Sequence, residues 1–420
     1  MRNSWIDAAN HPANDFPLAN LPYGVFSQPD RLPHCCVAIG DQVLDLAEAA
    51  EGGLLGEAAS SYGFNEGALN TFMAQGQRAW DDIRQRLTEL LSIDASPELR
   101  TSLAKAMFPI DAVRLHLPFK VAGYTDFYAG RQHAFNSGSI LRGPENALTP
   151  NWPHMPIAYN GRASTVVVSG TPIRRPLGQY RVDGQDKPAF GACRRLDLEV
   201  EFGTVIGLPT EHGSVLTIEE AEKHIFGYVL LNDWSARDIQ RWEGQPLGPF
   251  QAKAFGTTIS PWIVTKAALE GFRIPGPDRD VALLPYLQER SENFLDVNIE
   301  AWHEAEGAVP SRFISTNTRY LYYSPQQLLT HHAVCGCRME TGDLLGSGTI
   351  SGPERHQFGC LMEQSWGGRD KVSLDNGLER IFLEDGDSVR LSGWAQGDGY
   401  RIGFGSCAGK ILPAPIWPTE

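Results

Sequence analysis

Leu196-Asp197-Leu198-Glu199-Val200-Glu201-Phe202 alternates apolar and acidic residues without a break. Side chains of a β-strand point to opposite faces in turn, so Leu196, Leu198, Val200 and Phe202 share one face and Asp197, Glu199 and Glu201 the other. Successive carboxylates on the acidic face stand about 7 Å apart. Taken alone, that face reads as the solvated side of a half-buried sheet. A second stretch changes the weighting. Phe226 to Leu231 is an apolar run that reads as a fully buried strand, and it ends in Asn232-Asp233-Trp234-Ser235. An acid at the mouth of such a strand caps the next helix or serves a site, and Ser235 already offers itself as the cap.

Asp126, in Tyr124-Thr125-Asp126-Phe127-Tyr128, is a further acid among aromatics and by itself reads as a turn residue. If Asp126, Glu199, Glu201 and Asp233 converge, their like charges require a cation. An all-oxygen donor set selects a hard ion such as Ca²⁺ or Mg²⁺ over zinc. Arg131-Gln132-His133 follows Asp126, and Arg237, Gln240 and Lys253 follow Asp233. Basic and amide groups beside a metal suit the stabilisation of an oxyanion or enolate. Arg237 and Gln240, three apart, share a helix face. His133 alone reads as an ordinary, partly buried histidine.

Outward from these segments, the chain beyond Leu117-Pro118 is a succession of short β-branched runs, such as Thr165 to Ser169, separated by glycine and proline. Thr217-x-x-Glu220 and Ser324-Pro325-x-Gln327 have the pattern of capping boxes, and Ser235-x-x-Asp238 is a weaker helix start. Asp385-Gly386, between Arg380 to Leu383 and Val389 to Trp394, signals a hairpin. Before Leu117, Val37 to Leu46 alternates around a Gly40-Asp41 turn. From Asn65 onward Leu69, Phe72, Met73, Trp80, Ile83, Leu87 and Leu90 mark one helical face, and Ser96-Pro97-Glu98 opens a further helix. The expectation is an α+β, mostly β chain with a small N-terminal domain over 1–118 and a larger one over 119–420.

The composition narrows the function. With 36 Lys plus Arg against 50 Asp plus Glu, the formal charge is −14, which argues against nucleic acid or an anionic membrane as partner. No apolar run approaches a membrane span, and the polar start Met1 to His11 is unlike a signal peptide, so a cytoplasmic protein is expected. Seven scattered cysteines, an odd count, fit reduced structural thiols.

Three motif-like stretches do not fit the motifs they imitate. His331-His332-x-x-Cys335-x-Cys337 has zinc-type residues at a spacing that matches no common site. Gly403-x-Gly405-x-x-Ala408 imitates a dinucleotide fingerprint, but Pro413 and Pro415 prevent the helix that must follow. Gly348-Thr349-Ile350-Ser351-Gly352 is not the nucleophile-elbow pattern, since its first glycine comes one residue early.

Several long runs bear a resemblance. They include Asn20-Leu21-Pro22-Tyr23-Gly24-Val25-Phe26, Asp126-Phe127-Tyr128, Arg131-Gln132-His133-Ala134 and Ser169-Gly170-Thr171-Pro172-Ile173-Arg174-Arg175-Pro176. Asn232-Asp233-Trp234-Ser235-Ala236-Arg237-Asp238-Ile239-Gln240, Lys253-x-Phe255-Gly256-Thr257-Thr258 and Gly348-Thr349-Ile350-Ser351-Gly352-Pro353-Glu354 belong with them. From Asn20 to about Lys410 the chain resembles the fumarylacetoacetase family. The resemblance implies a small SH3-like N-terminal domain, a mixed β-roll catalytic domain and a homodimer. It implies metal-dependent hydrolysis of 4-fumarylacetoacetate to fumarate and acetoacetate, the last step of tyrosine and phenylalanine catabolism. By the same token Asp126, Glu199, Glu201 and Asp233 match Ca²⁺ ligands, and Asp233, Lys253 and Thr257 a second, Mg²⁺ site. His133 matches the general base and Glu363 its orienting acid. Arg237, Gln240 and Lys253 match the groups that hold the oxyanion and leaving carbanion, and Tyr128, Arg142, Gln240 and Thr349 match substrate contacts.

The chain departs from the family pattern at Gly244, where Tyr is usual, and at Phe135 and Ser137, where Thr and Val are common. The alternatives are an acylpyruvate hydrolase or decarboxylase of the same superfamily, or a scaffold protein without activity. The presence of both His133 and Glu363 weighs against the first, and the nearly complete polar set against the second.

Overall fold

Ile39 and Gln42 face each other across the Gly40-Asp41 turn, where Gly40 takes a φ of 60°, so the first expected hairpin forms as read. It lies in a five-stranded antiparallel sheet, in the order Met107–Pro109, Gln42–Asp45, His34–Ile39, Tyr23–Ser27, Arg114–His116. The computed structural model describes residues 3–182 and 184–418. The single helical face expected from Asn65 is divided into helices Asn70–Met73 and Gln77–Leu91, because Gly76 adopts a φ of 84° that ends the first and opens the second. Trp80, Ile83, Leu87 and Leu90 are buried as their spacing requires. Ser96 caps Pro97–Leu103 by accepting from the Leu99 N–H.

The larger sheet has eight strands. Its path runs Ala158–Asn160, Tyr124–Phe127, Leu344–Gly346, Val200–Ile206, Ile225–Asp233, Thr257–Ile259 and Val166–Val168, with Val264–Thr265 paired to Ile225–Asp233. Ile225–Asp233 is buried along its whole length. Its Phe226 meets Tyr23, Phe72 and Trp80 of the N-terminal segment, while Tyr228 and Leu230 turn to the opposite core. There a second, five-stranded sheet closes the core, in the order Ser311–Asn317, Asn298–Glu304, Ser388–Gln396, Arg401–Leu412, Ile173–Arg174. Phe202 links the layers, stacked on Tyr228 at 5.0 Å and edge-on to Phe404 at 5.5 Å. The large sheet is therefore apolar on both faces, which explains why its central strand reads as a continuous hydrophobic run.

Capping boxes form at Thr217 and Ser324. The weaker start does not: Ser235 lies in the short strand Ser235–Ala236, and helix Arg237–Glu243 begins after Ala236 with no side-chain cap. The Asp385-Gly386 turn does not join the strands expected of it either. Asp387 instead accepts from Arg380 Nε and Nη2 at 2.9 Å, and Ser388–Gln396 pairs with Arg401–Leu412. All seven cysteines are free, five of them buried. Among the described residues no helix is long and apolar enough to cross a membrane.

One helix has no signal in the sequence. Arg131–Arg142 starts at Gly130 without a capping side chain and turns His133, Asn136 and Ser137 inward, so it carries no apolar stripe. Gly138 lets it dock: a Cβ there would lie 1.9 Å from the Ala147 carbonyl oxygen. Alanine normally stabilises a helix interior by about 0.5–1 kcal/mol over glycine. Here the backbone clash outweighs that gain, since overpacking costs roughly 1–3 kcal/mol or more. Gly138→Ala is therefore expected to lower the urea unfolding midpoint, and a raised midpoint would contradict this docking.

Candidate active site and cation centre

Four carboxylates meet where three strands end or break. Asp126 sits on Tyr124–Phe127, whose parallel neighbour places Gly346 opposite it. The alternating stretch is interrupted at Leu198-Glu199, between Leu196–Asp197 and Val200–Ile206, so Glu199 leaves the ladder while Glu201 stays in it. Asp233 is the last residue of its buried strand, and its N–H donates to the Glu199 carbonyl at 3.2 Å. One oxygen from each of Asp126, Glu199, Glu201 and Asp233 lies within 4.8 Å of the others, and all four residues are buried. The solvated-face reading thus fails. Asp197 is buried too, but it turns away and accepts from Arg237 Nε at 2.9 Å and from the Leu361 and Met362 N–H groups at 2.8 and 2.9 Å.

The charge in this cluster is unevenly paired. Lys253 Nζ binds Asp233 Oδ2 at 2.6 Å and also Glu199 Oε2, and Arg237 Nη1 lies 2.7 Å from Glu199 Oε1. Burial opposes ionisation of Glu199, but Arg237 and Lys253 overcome it and hold its carboxyl well below the usual range. Asp126 and Glu201 lack such partners. Burial, then the charge of Asp233, pushes Asp126 well up, and burial followed by Asp126 and Asp233 does the same for Glu201. Asp126 Oδ1 and Glu201 Oε1 are buried with no hydrogen-bond partner among the described residues. A Cβ at Gly346 would lie 2.7 Å from Asp126 Oδ1 and 2.9 Å from Glu201 Oε2, so only glycine leaves these oxygens their space. Orphaned buried oxygens in an all-carboxylate set fit a divalent cation, which would supply the charge that Lys253 does not.

His133 stands at the rim. Its Nδ1 is 2.6 Å from Glu363 Oε2, and its Nε2 is 3.8 Å from Glu199 Oε1. Glu363 is fixed from three more sides: Asn136 Nδ2 donates to Oε1 at 2.8 Å, and Ser351 Oγ and Cys360 Sγ donate to Oε2 at 2.8 and 3.2 Å. Despite burial, the His133 charge and the hydrogen bonds from His133, Asn136 and Ser351 keep its carboxyl below the ordinary range. Tyr128 packs edge-on to His133 at 5.5 Å, and burial pushes its phenol up to about 12.

Of the other residues picked from the sequence, Gln240 accepts from Arg237 Nη1 at 3.2 Å, and Thr257 Oγ1 donates to Asp233 Oδ1 at 3.4 Å. Thr349 is buried beside the site with its hydroxyl unpartnered among the described residues. Arg142 is not drawn into the cluster. It lies exposed at the far end of the His133 helix, bound to the Asn146 and Ala147 carbonyls at 3.1 and 2.7 Å. Gly244 ends helix Arg237–Glu243 by donating to the Gln240 carbonyl at 2.9 Å. Cys335 and Cys337 join no metal-type group among the described residues, and His332 instead pairs with Thr125 at 2.9 Å.

Sequence reasoning missed Tyr159, which donates to Asp233 Oδ2 at 2.8 Å, and the supports Asn136 and Ser351. Only Asn136 had an available signal, since it is three residues from His133 and so on the same helical face.

Two family descriptions match the chain: "Fumarylacetoacetase N-terminal" over residues 19–118 and "Fumarylacetoacetate (FAA) hydrolase C-terminal" over 123–412. The chain is 50% identical to the Fumarylacetoacetase of Homo sapiens, across 96% of this chain and 97% of that one. It is 46% identical to the Fumarylacetoacetase of Arabidopsis thaliana, across 98% and 99%. Among solved structures, the fumarylacetoacetate hydrolase of Exiguobacterium antarcticum superposes with a TM-score of 0.51 at 18% identity, covering 94% of this chain and 99% of that one, a likeness of fold alone. With both halves matched and the four acids gathered around one point, the chain belongs to the fumarylacetoacetate hydrolase family.

Proposed function

We propose that this enzyme hydrolyses the carbon–carbon bond of 4-fumarylacetoacetate, yielding fumarate and acetoacetate at the end of tyrosine and phenylalanine catabolism. The observation that carries the reading is the His133–Glu363 pair, whose free Nε2 faces Glu199 at the edge of a carboxylate cluster with two orphaned oxygens. Ca²⁺ is the assigned ion for Asp126, Glu199, Glu201 and Asp233, with Mg²⁺ as a substitute or beside Asp233, Lys253 and Thr257. The reading includes a cytoplasmic homodimer, and a division of the chain near residue 118, where the two family matches part.

A bound hard cation would act as a Lewis acid on the β-diketone carbonyl. The protein's own groups do the proton work. Glu363 accepts the Nδ1 proton of His133, which leaves the Nε2 lone pair free to take a proton from the attacking water. The water oxygen bonds to the carbonyl carbon, and the carbon–carbon bond then breaks with its electron pair on the acetoacetate side. That fragment leaves as an enolate and regains a proton at carbon. Lys253, Arg237 and Gln240 provide positive field and donors where this charge develops. Tyr128, Gln240, Thr349 and Arg142 are the proposed substrate contacts.

An acylpyruvate hydrolase or decarboxylase, and an inactive scaffold, are less favoured, because the relatives named Fumarylacetoacetase match along nearly the entire chain. Rates on fumarylacetoacetate and on acylpyruvates, measured side by side with the purified protein, decide between them: a clear preference for acylpyruvates would overturn the proposal.

Chelation is expected to abolish activity, and added Ca²⁺ or Mg²⁺ to restore it; full turnover in excess chelator with no metal bound would contradict the cation site. His133→Ala should lose about 10²- to 10⁴-fold in kcat with cation affinity nearly unchanged, as measured by titration calorimetry. Gly346→Ala should do the reverse at first, weakening cation affinity because its methyl group displaces two of the carboxylate oxygens. Unchanged affinity in that variant would place the cation elsewhere.

A further inference from the structure

Helix Arg131–Arg142 brings Ser137 to the phenol of Tyr128, one turn beyond His133. Ser137 is buried, and its Oγ has two neighbours: the His133 carbonyl oxygen at 2.7 Å and the Tyr128 hydroxyl, in a short contact. A hydroxyl has a single proton to give. The His133 carbonyl can only accept, so at 2.7 Å it requires the Ser137 proton; otherwise two oxygens would face each other with lone pairs alone. Ser137 Oγ must then accept from Tyr128. The other acceptor near the phenol is the Ala134 carbonyl, at 3.5 Å, which belongs to the same helix. Either way the phenolic proton is directed into the helix, away from Glu199, Glu363 and the reacting centre.

We infer that Ser137 is a specificity-determining residue that fixes Tyr128 as a hydrogen-bond acceptor toward the substrate. Presenting only lone pairs, Tyr128 favours a ligand that offers a hydroxyl at that point, as the enol form of a β-diketone does, over one that offers a carboxylate or ketone oxygen. This rests on the proposed role of Tyr128 as a substrate contact.

The test compares Ser137→Ala, Ser137→Thr, Tyr128→Phe and the Ser137→Ala/Tyr128→Phe double variant, all as full chains. Ser137→Ala removes the acceptor that holds the phenolic proton, so the phenol no longer presents fixed lone pairs to the substrate. It is expected to raise KM for fumarylacetoacetate by about three- to tenfold with kcat within about twofold, the scale of one lost hydrogen bond. Ser137→Thr, which keeps the hydroxyl, should behave as the parent, and in the Tyr128→Phe background Ser137→Ala should change nothing. The resonance-Raman tyrosine doublet of Tyr128, isolated by subtracting the Tyr128→Phe spectrum, should report a strongly donating phenol in the parent and lose that signature in Ser137→Ala. An unchanged doublet overturns the inference, as does an equal KM shift with and without the phenol. If fumarylacetoacetate is not turned over at all, the hydrolase reading falls, while the doublet still decides the direction of the Tyr128–Ser137 bond.

Discussion

Four carboxylates buried within 4.8 Å of one another are a constraint that the rest of the site is arranged around. Ionised carboxylates cannot be removed from water together without opposing charge. The protein supplies part of it through Lys253 and Arg237, both aimed at the Glu199 side. It leaves Asp126 and Glu201 unbalanced, with an oxygen orphaned on each. That asymmetry separates a cation centre from a structural ion-pair network, in which each charge has its own partner. The bidentate Arg380–Asp387 pair is of that second kind elsewhere in the same chain.

Asp197 shows how the parts are tied together. It lies on the same stretch as Glu199 and Glu201, yet it serves as a bracket rather than a ligand. Its carboxylate holds Arg237 and the first N–H groups of helix Leu361–Gln364, the helix that carries Glu363. Arg237 in turn reaches Glu199. A single buried acid therefore sets the spacing between the cluster and the His133–Glu363 pair. The two cores on either side of the large sheet hold its strand ends rigid, so these distances are fixed by packing rather than by loops.

The pattern of residues determined a good part of this. Alternation in Leu196 to Phe202, the apolar run ending at Asp233, the Gly40-Asp41 turn and the capping boxes at Thr217 and Ser324 are local effects, because each depends on side-chain periodicity or on bonds within a few residues. The hard-cation reading of the acids came from donor chemistry, and the recurring motifs pointed to the family. The Ser235 cap and the Asp385 hairpin fail to form for one reason. In both, a distant strand competed for the same backbone: Ser235–Ala236 pairs with Leu196–Asp197, and Ser388–Gln396 lies between two long partners.

Only the tertiary structure decided which acids meet. On a strand of period two, Asp197, Glu199 and Glu201 are equivalent. The break at Leu198-Glu199 and the capture of Asp197 by Arg237 make them unlike, and both involve residues more than 30 positions away, Asn232 and Asp233 at Glu199 and Arg237 at Asp197. The helix bearing His133 was invisible for the matching reason: its inward face is polar because it contacts a site instead of a core, so the apolar periodicity that reveals helices is absent there. Sequence determines what is local and what is apolar, while the convergence of polar groups is a product of folding.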